Sequence, residues 1–309
     1  MKSILQTEQW AKFKHSQGLE ILKLGELFIH KKSLPSGQNF LYIPEASAHD
    51  INGGHIDQLK ALSKKNNSIF LRLELVDHFG ESAHKLLLSF GFRPGFEQVQ
   101  PKWRQLINLE HTRGELLAQM KQKGRYNIKL AERKGVKIRH LDGRGKSAAK
   151  FSEMFQAFYS LYSQTNTREK LAGRTKQYFV DMIDNFSEED YLEIYIASFE
   201  NIPIAAALVS FYDGVASYLY GGSSVKHREV MAPYLMHWQI ICDAKEREMK
   251  RYDLIGRAKP GDENSAWAGI TRFKEQFGGE TIEILGSYDF ISKPFWYQIF
   301  KIAEKMRRG

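Results

Sequence analysis

The chain has 309 residues, which at about 150 residues per domain is enough for two domains. Hydrophobic residues make up 42% of the chain and charged residues 26%, a balance that excludes a mainly disordered protein. The net charge of +9 indicates an anionic partner, and nucleic acid, a phosphorylated ligand and an acidic membrane surface all remain open. With one cysteine, Cys242, the sequence excludes an intrachain disulfide and a thiolate zinc cluster.

The sequence carries no pattern typical of secretion or of a membrane span. Its N-terminal residues are too polar for the core of a signal peptide. The longest nearly apolar run, residues 202–212, contains Pro203 and Ser210 and is too short to cross a bilayer. We therefore expect a cytoplasmic protein in a reducing compartment.

The first third of the chain alternates between strand and helix patterns, as in a mixed α/β domain. The predicted elements are two strands around Gly25 within residues 19–31, a strand at 39–44, a helix at 55–65, a strand at 68–75 and a helix at 81–90. Gly91 marks the end of this last helix.

A second cycle of similar elements follows. The predicted order is a helix at 115–134, a strand at 136–141, helices at 151–164 and 176–186, a three-strand meander at 191–199, 204–212 and 215–220, a helix at 233–249, a strand at 252–255 and a helix at 268–277. Each cycle runs meander, helix, strand, helix and an aromatic-glycine ending. This order resembles the GNAT-like acetyltransferase fold used twice.

The C-terminal tail, residues 293–308, is predicted to form a basic amphipathic helix. Trp296, Ile299, Phe300 and Ala303 share one face of this helix. Packing of that face onto a domain is the favoured interpretation, and contact with a membrane surface is the alternative.

Most of the positive charge lies in residues 121–139, where eight basic residues and one acid give +7 of the total of +9. A solvated helix face usually interleaves both signs of charge, which this stretch does not. Two interpretations remain: an exposed basic helix, or a contact with a polyphosphate backbone. Tyr126 and Asn127 within the stretch offer a stacking ring and a hydrogen-bonding amide.

Several common catalytic motifs are absent from the sequence. It has no G-x-G-x-x-G, P-loop, G-x-S-x-G, H-x-x-x-H or H-E-x-x-H string, so dinucleotide, nucleotide and metal sites lack support. Most GNAT enzymes hold the coenzyme A pyrophosphate with the backbone N–H groups of a glycine-rich arm. Residues 228–233 stand in the corresponding place without a glycine, and Pro233 has no N–H. An acyl donor other than acyl-CoA would be consistent with the missing glycine-rich arm and with the basic stretch at residues 121–139.

A set of longer strings carries a family resemblance over nearly the whole chain. The strings are Trp10-Ala11-Lys12-Phe13-Lys14, Lys123-Gly124-Arg125-Tyr126-Asn127-Ile128-Lys129, Tyr218-Leu219-Tyr220-Gly221-Gly222-Ser223, Ala232-Pro233-Tyr234-Leu235, Tyr252-Asp253-Leu254-Ile255-Gly256 and Phe273-Lys274 with Phe277-Gly278-Gly279. Together they resemble the Fem-type (FemABX) transferases that build peptidoglycan cross-bridges. No sustained heptad is present, so the chain is similar to the compact type without a coiled-coil arm.

The resemblance implies an α/β (α+β) fold of two GNAT-like domains with mixed sheets, one formed by residues 1–107 plus 286–309 and the other by 108–285. It implies an aminoacyltransferase that moves an amino acid from aminoacyl-tRNA to an amine of a peptidoglycan precursor's stem peptide, without a cofactor or a metal. The precursor is lipid II or the soluble UDP-MurNAc-pentapeptide. We expect a monomer that binds no DNA. Peripheral contact with the membrane remains an open alternative.

The resemblance also assigns binding roles to single residues. Lys14, Arg174, Tyr178 and Tyr220 match residues that bind the precursor. The spacing of Arg174 and Tyr178 would put both side chains on one face of a helix. Glu74 stands where some members of the family have an acidic residue at a strand end.

Phe273 and Lys274 match a pair placed at the reacting end of the aminoacyl-tRNA, and they are the catalytic candidates. A partly buried Lys274 ammonium would stabilise the oxyanion formed when an amine attacks the aminoacyl ester, or it would orient the tRNA end through a phosphate. A surface lysine at 274 and a core ring at 273 are the structural alternatives. The candidates for binding the tRNA are Lys121, Lys123, Arg125 and Lys129.

Two other functions remain open from the sequence. An acyl-CoA-dependent N-acyltransferase of related fold would need the coenzyme A grip that residues 228–233 lack. A non-catalytic protein that binds RNA or a membrane surface would need the basic stretch but not Lys274.

Overall fold

The computed structural model describes residues 2–51, 53–142, 148–186 and 191–308. They form two compact units: unit 1 comprises Met1–Lys102 with Ile282–Gly309, and unit 2 comprises Trp103–Thr281. Each unit combines helices with a mixed sheet, so the predicted α/β class is confirmed. Among the described residues, every helix falls short of the length and apolar character that a membrane span requires.

The chain begins in unit 1. Its elements there are α1 (Glu8–Ser16), β1 (Glu20–Leu24), β2 (Leu27–Ser33), β3 (Asn39–Ala46), α2 (Gly53–Lys65), β4 (Phe70–His78), α3 (Glu81–Ser89) and β5 (Arg93–Pro94). The sequence patterns missed α1, which starts where the hydroxyl of Thr7 accepts a hydrogen bond from the N–H of Trp10 at 3.1 Å.

Unit 2 follows without interruption. Its elements are β6 (Trp103–Asn108), α4 (Arg113–Gln119), α5 (Gln122–Arg133), β7 (Lys137–Asp142), α6 (Ala148–Glu169), α7 (Lys176–Asn185), β8 (Leu192–Phe199), β9 (Ile202–Tyr212), β10 (Val215–Ser223), α8 (Ala232–Glu246), β11 (Arg251–Gly256) and α9 (Ala268–Lys274). The chain then returns to unit 1 as β12 (Glu280–Ile291) and α10 (Pro294–Arg308).

The sheet of unit 1 has a core on each face. Strands β1, β2 and β3 are antiparallel neighbours, β3 and β4 are parallel, and β12 pairs antiparallel with β4 and β5. Residues of β3 alternate between the faces. Leu41 and Ile43 pack with α2 and α3, whereas Phe40 and Tyr42 pack with Phe300 of α10.

The sheet of unit 2 has the order β6-β11-β10-β9-β8-β7, with β10 and β11 parallel and the other neighbours antiparallel. In both turns of the predicted meander, the two central residues adopt the left-handed backbone conformation. Glu200 and Asn201 have φ of 49° and 63°, and Asp213 and Gly214 have φ of 46° and 77°. Two-residue hairpin turns of type I′ require this conformation at both positions, and the meander is confirmed.

The single helix predicted at 115–134 is wrong, because the chain forms α4 and α5 with an extended break between them. Met120 and Lys121 have ψ of 148° and 149°. Met120 is buried in the core of unit 2, and the N–H of Lys121 donates to the carbonyl oxygen of Gln276 at 3.1 Å. These two distant contacts impose the break, which the sequence conceals because methionine and lysine both favour helices.

The tail helix is confirmed as α10, but its predicted buried face is wrong in part. Of the four residues predicted to share that face, Phe300 is buried and Trp296 half-buried, whereas Ile299 and Ala303 are exposed. Tyr297 packs on the core side instead, and its hydroxyl donates to a buried carboxylate of β12 at 2.7 Å. The packed side is thus rotated around the helix from the predicted one.

Candidate functional site

The two parallel strands of unit 2 separate part of the way along their length. In this fully described part of the chain, β10 pairs with β11 through residues 215–217 and 251–253 alone, and residues beyond Ser217 pair with β9. A register shift between Tyr218 and Tyr220 marks the point where β10 turns away. We take the residues around the point where the two strands part as the candidate site.

Gly222 allows helix α6 to approach β10 closely. A Cβ atom at this position would overlap the carbonyl oxygen of Leu161 and lie 2.6 Å from its carbonyl carbon. The close approach brings the ring centroid of Tyr162 to 5.9 Å from that of Tyr220. The Gly-Gly pair in the sequence therefore builds one wall of the site.

Arg174 lies before α7 rather than on it, which corrects the predicted common helix face. Thr175 is the N-cap of α7, and its hydroxyl accepts a hydrogen bond from the N–H of Tyr178 at 3.2 Å. The N–H of Arg174 donates to the hydroxyl of Tyr162 at 2.9 Å. The Arg174 guanidinium carbon lies 4.9 Å from the Tyr178 ring centroid, so the side chains meet by cation–π contact across the cap.

Tyr178 and Tyr220 bring their hydroxyl oxygens to 3.2 Å from each other. Phe179 holds Tyr220 from the side, with ring centroids 4.9 Å apart and nearly perpendicular planes. Burial raises the pKa of both tyrosines, so both hydroxyls stay neutral and can donate hydrogen bonds. Together with the exposed Arg174 guanidinium, this tyrosine cluster can bind an anionic or polar group.

Strand β11 ends in a bulge that reorients its last residues. Asp253 pairs with Leu106 of β6, and Gly256 pairs with Arg104. The chain therefore advances three residues along β11 but only two along β6, which leaves one extra residue in β11. Ile255 has φ of 59°, which a β-branched residue rarely adopts, and its N–H donates to the Asp253 carboxylate at 2.6 Å. Strain of this kind is typical of functional sites.

The bulge presents the carbonyl oxygen of Gly256 to Lys274 at the end of α9. Lys274 is 5% exposed, and its Nζ donates to this oxygen at 2.5 Å. An ammonium has three N–H groups, and among the described residues Gly256 takes one of them. Burial lowers the pKa of Lys274 to about 8, with Asp253 opposing the shift and Arg257 and Arg104 adding to it. The structure therefore places a desolvated cation with hydrogen-bonding capacity at the separated strands.

Aromatic rings surround the side chain that precedes Lys274. Phe273 is half-buried, and its ring centroid lies 5.1 Å from that of Tyr234 and 5.4 Å from that of His237. Phe277 lies 5.3 Å from Phe273 in the same cluster. Burial, helped by the nearby Lys274 charge, lowers the pKa of His237 to about 3, so its imidazole is neutral. Phe273 is thus packed in an aromatic cluster immediately before Lys274.

Two ion pairs that the sequence does not predict lie beside Lys274. Arg104 and Asp253, both buried, pair at 2.9 Å, and Arg257 and Glu275 pair at 2.8 Å. The arginine guanidinium groups lower the pKa of Lys274, so they act on the candidate cation directly. Nothing in the sequence could have revealed the Arg104–Asp253 pair, because its partners are 149 residues apart.

The tRNA-binding candidates lie on α5 or at its N-cap, and they differ in their contacts. Lys121 pairs with Glu275 at 2.8 Å, and the Arg125 guanidinium donates to the carbonyl oxygen of Met120 at the end of α4. Lys123 and Lys129 are exposed instead. Lys121 and Arg125 therefore hold α5 in place, while Lys123 and Lys129 face solvent together with the 54% exposed ring of Tyr126.

The start of helix α8 lacks the features of a pyrophosphate cradle. Met231 is the N-cap with φ of 56°, and Pro233 stands in the first turn. The N–H of Tyr234 donates to the carbonyl oxygen of Met231 at 3.0 Å. Proline removes one N–H and this turn uses another, so few donors remain for a phosphate. Further along α8, Cys242 is buried, and burial raises the pKa of its thiol to about 11. The thiol is therefore protonated at neutral pH, as expected for a core residue.

Lys14 lies on α1 of unit 1. It is half-buried, with its Nζ 5.1 Å from the Trp10 ring centroid and 4.7 Å from that of Phe13. Burial lowers the pKa of His30 to about 3, and the charges of Lys32 and Lys14 add to the effect. The ammonium groups of Lys14 and Lys32 therefore both lie close to the neutral imidazole of His30.

Glu74 is a buried anchor within unit 1. One carboxylate oxygen accepts hydrogen bonds from the Ser287 hydroxyl at 2.6 Å and from the N–H groups of Val99 and Gln100 at 2.7 and 3.1 Å. The other oxygen accepts a hydrogen bond from the Tyr42 hydroxyl. Four internal donors occupy this carboxylate, which is what a structural role requires.

The structure thus brings the predicted residues of unit 2 into two groups. Arg174, Tyr178 and Tyr220 make one cluster, and Phe273 and Lys274 belong to the other. Both groups lie within Trp103–Thr281, whereas Lys14 belongs to unit 1.

Comparison with known sequences gives two related proteins from one organism. The chain is 20% identical to the lipid II:glycine glycyltransferase of Staphylococcus epidermidis, over 99% of this chain and 92% of that protein. It is 21% identical to the aminoacyltransferase FemB of the same organism, over 81% of this chain and 70% of that protein.

Solved structures share the fold. The crystal structure of FemX superposes with a TM-score of 0.84 at 19% identity, covering 96% of this chain and 94% of that chain. The C-terminal domain of a putative lysylphosphatidylglycerol synthetase from Agrobacterium fabrum gives a TM-score of 0.63 at 9% identity, covering 96% and 91%. The FemAB family itself matches residues 72–201 and 195–305, which is most of the sequence, and the chain therefore belongs to the FemAB family.

Proposed function

We propose that the protein is an aminoacyltransferase that takes an amino acid from aminoacyl-tRNA and joins it to an amine of a peptidoglycan precursor's stem peptide. The names of the two Staphylococcus epidermidis relatives support this class of reaction. The proposal rests on Lys274, a buried ammonium at the end of β11 whose one hydrogen bond within the described part of the chain goes to the carbonyl oxygen of Gly256.

The chemistry matches that cation. The amine of the stem peptide attacks the carbonyl carbon of the aminoacyl ester, a C–N bond forms, and an electron pair moves onto the carbonyl oxygen. Collapse of this oxyanion breaks the C–O bond to the tRNA ribose, whose oxygen leaves with the proton that the amine gives up. Lys274, with a pKa of about 8, is mainly protonated at neutral pH and stabilises the oxyanion by charge and hydrogen bonding.

An aminoacyl-tRNA donor is supported by two features of unit 2. The first turn of α8 offers few N–H groups to the pyrophosphate of an acyl-CoA, because of Pro233 and the Tyr234–Met231 hydrogen bond. The exposed Lys123 and Lys129 offer cations to a nucleic-acid backbone instead.

The proposal is tested by incubating the protein with radiolabelled aminoacyl-tRNA and with UDP-MurNAc-pentapeptide or lipid II. Transfer of label to the stem peptide is the expected result. Tight calorimetric binding of an acyl-CoA, with no transfer from any aminoacyl-tRNA to either precursor, would replace this function by acyl-CoA-dependent acylation.

Removing the hydroxyl of Tyr220 is expected to weaken binding of the precursor. Tyr220→Phe keeps the ring packed on Phe179 and loses one donor, so the Kd for UDP-MurNAc-pentapeptide should rise about five- to tenfold. Isothermal titration calorimetry measures the change. Tyr159→Phe on α6 is the matched control, because the described contacts give that hydroxyl no hydrogen bond. Equal affinities of the two variants would remove Tyr220 from the binding site.

Removing Lys123 and Lys129 is expected to raise the KM for aminoacyl-tRNA and to make it less dependent on salt. Each phosphate contact contributes about 0.7–0.9 to the slope of log affinity against log salt, so Lys123→Ala/Lys129→Ala should lower the slope by about 1.4–1.8. The control Lys64→Ala/Lys65→Ala removes two exposed lysines from unit 1. The contact with tRNA would be contradicted if both variants kept the original slope.

A further inference from the structure

Helix α10 is apolar on two opposite sides. Tyr297 and Phe300 on the inner side are 5% and 7% exposed and pack with β3 and β4. On the outer side, apolar residues recur at spacings of four, three and four, which puts them in one stripe along the helix. This outer stripe consists of Phe295, Ile299, Ile302 and Met306, which are 72%, 41%, 57% and 78% exposed.

The outer stripe is unusual within the described part of the chain. Thirteen large apolar side chains are exposed there, and four of them belong to this single helix. The others are scattered singly or in pairs, as on ordinary protein surfaces. A continuous apolar stripe indicates an interaction rather than chance exposure.

Basic residues border the stripe. Residues 293–308 hold five basic residues and one acid, which gives this segment a charge of +4. Lys305 is exposed along one edge of the stripe, next to the half-buried Lys301. Arg307 is exposed along the other edge, and it pairs with Glu304 of the inner side at 2.5 Å.

We propose that the outer stripe of α10 lies in the headgroup region of a bilayer that contains anionic phospholipid. The apolar side chains enter the acyl boundary while the bordering lysines and arginine meet lipid phosphates, the arrangement that amphipathic interfacial helices adopt. A second copy of this chain is a poorer occupant, because stripe-to-stripe contact would set a charge of +4 against +4. This contact is separate from the transfer reaction and holds for a soluble or a lipid-linked acceptor.

The experiment is co-sedimentation of the full chain with vesicles of phosphatidylcholine, with and without phosphatidylglycerol. Binding is expected with the anionic vesicles. Phe295→Ser/Met306→Ser should lower the partition coefficient about tenfold or more, since it removes the two most exposed apolar side chains of the stripe. Lys305→Glu should lower it about tenfold in low salt.

The matched control is Leu86→Ser/Val225→Ser, which removes exposed apolar side chains from α3 and from the loop after β10. It should bind vesicles like the original chain. Circular dichroism melting checks that every variant folds, so the vesicle result does not depend on the transfer assay. Equal binding of the stripe and control variants would overturn the proposal. A concentration-dependent dimer in sedimentation velocity, abolished by Phe295→Ser/Met306→Ser, would overturn it in favour of self-association.

Discussion

Replacing Lys274 by methionine is expected to lower the rate of amino acid transfer by about 10²–10³-fold, the usual cost of removing one oxyanion donor from a desolvated site. Methionine fills a similar volume without the charge, so the aromatic packing around Phe273 should be kept. Binding of UDP-MurNAc-pentapeptide should change little, because Arg174 and Tyr220 belong to the other cluster. Single-turnover transfer and calorimetry measure the two quantities separately.

The pH dependence of transfer should carry the signature of the same lysine. Lys274 loses its charge as the pH rises through about 8, and the rate should fall there. The attacking amine must be neutral, so the rate should rise with pH below this range and the full profile should be bell-shaped. Lys274→Arg keeps a cation throughout, and its residual activity should lack the falling limb near pH 8.

Arg272→Met is the matched control for Lys274, because it removes a cation from the exposed side of the same helix α9. It should transfer amino acids at close to the original rate. If Lys274→Met stays within threefold of Arg272→Met while both remain folded by their melting temperatures, oxyanion stabilisation by Lys274 is wrong.

Replacing Gly124 by alanine is expected to destabilise unit 2 by about 1–3 kcal/mol, the range found for overpacking of a close contact. The added Cβ would overlap the backbone carbonyl oxygen of Gln276 and lie 3.1 Å from its carbonyl carbon. That oxygen cannot retreat without losing its hydrogen bond from the N–H of Lys121. Alanine's better helix propensity, about 1 kcal/mol, offsets only part of the cost.

Gly269→Ala provides the comparison for this prediction. Gly269 also lies in a helix, α9, and a Cβ there would meet nothing within 4 Å. We expect Gly269→Ala to stabilise the protein by up to about 1 kcal/mol. Urea unfolding of both variants gives the free energies. Equal stability of the two would mean that α5 does not depend on its close approach to residues 275–277.

The site candidates show how much of the site could be predicted from the sequence. The resemblance to the Fem-type transferases points to Lys274 and to the precursor-binding candidate Tyr220, through the strings in which they lie. The groups that surround these residues could not be predicted from the sequence. The pKa of Lys274 depends on burial and on Arg104, Asp253 and Arg257, which come from two other strands and a loop.

Arg174 and Tyr178 illustrate the same limit at short range. Their spacing alone predicts a shared helix face, but the Thr175 cap starts α7 after Arg174. The two side chains still meet, because the residue before an N-cap folds back toward the first turn. The proximity was therefore predicted for the wrong geometric reason.

The sequence by itself determined the elements whose cause is local. Residues 213–214 make a tight turn because aspartate and glycine accept positive φ, and nearly continuous apolar runs make the buried strands β8 and β9. The tertiary structure decided the break between α4 and α5, the bulge at Ile255 and the sides of α10. Each of these depends on groups far apart in the chain, whose packing and hydrogen bonds outweigh local preference by a few kcal/mol at most.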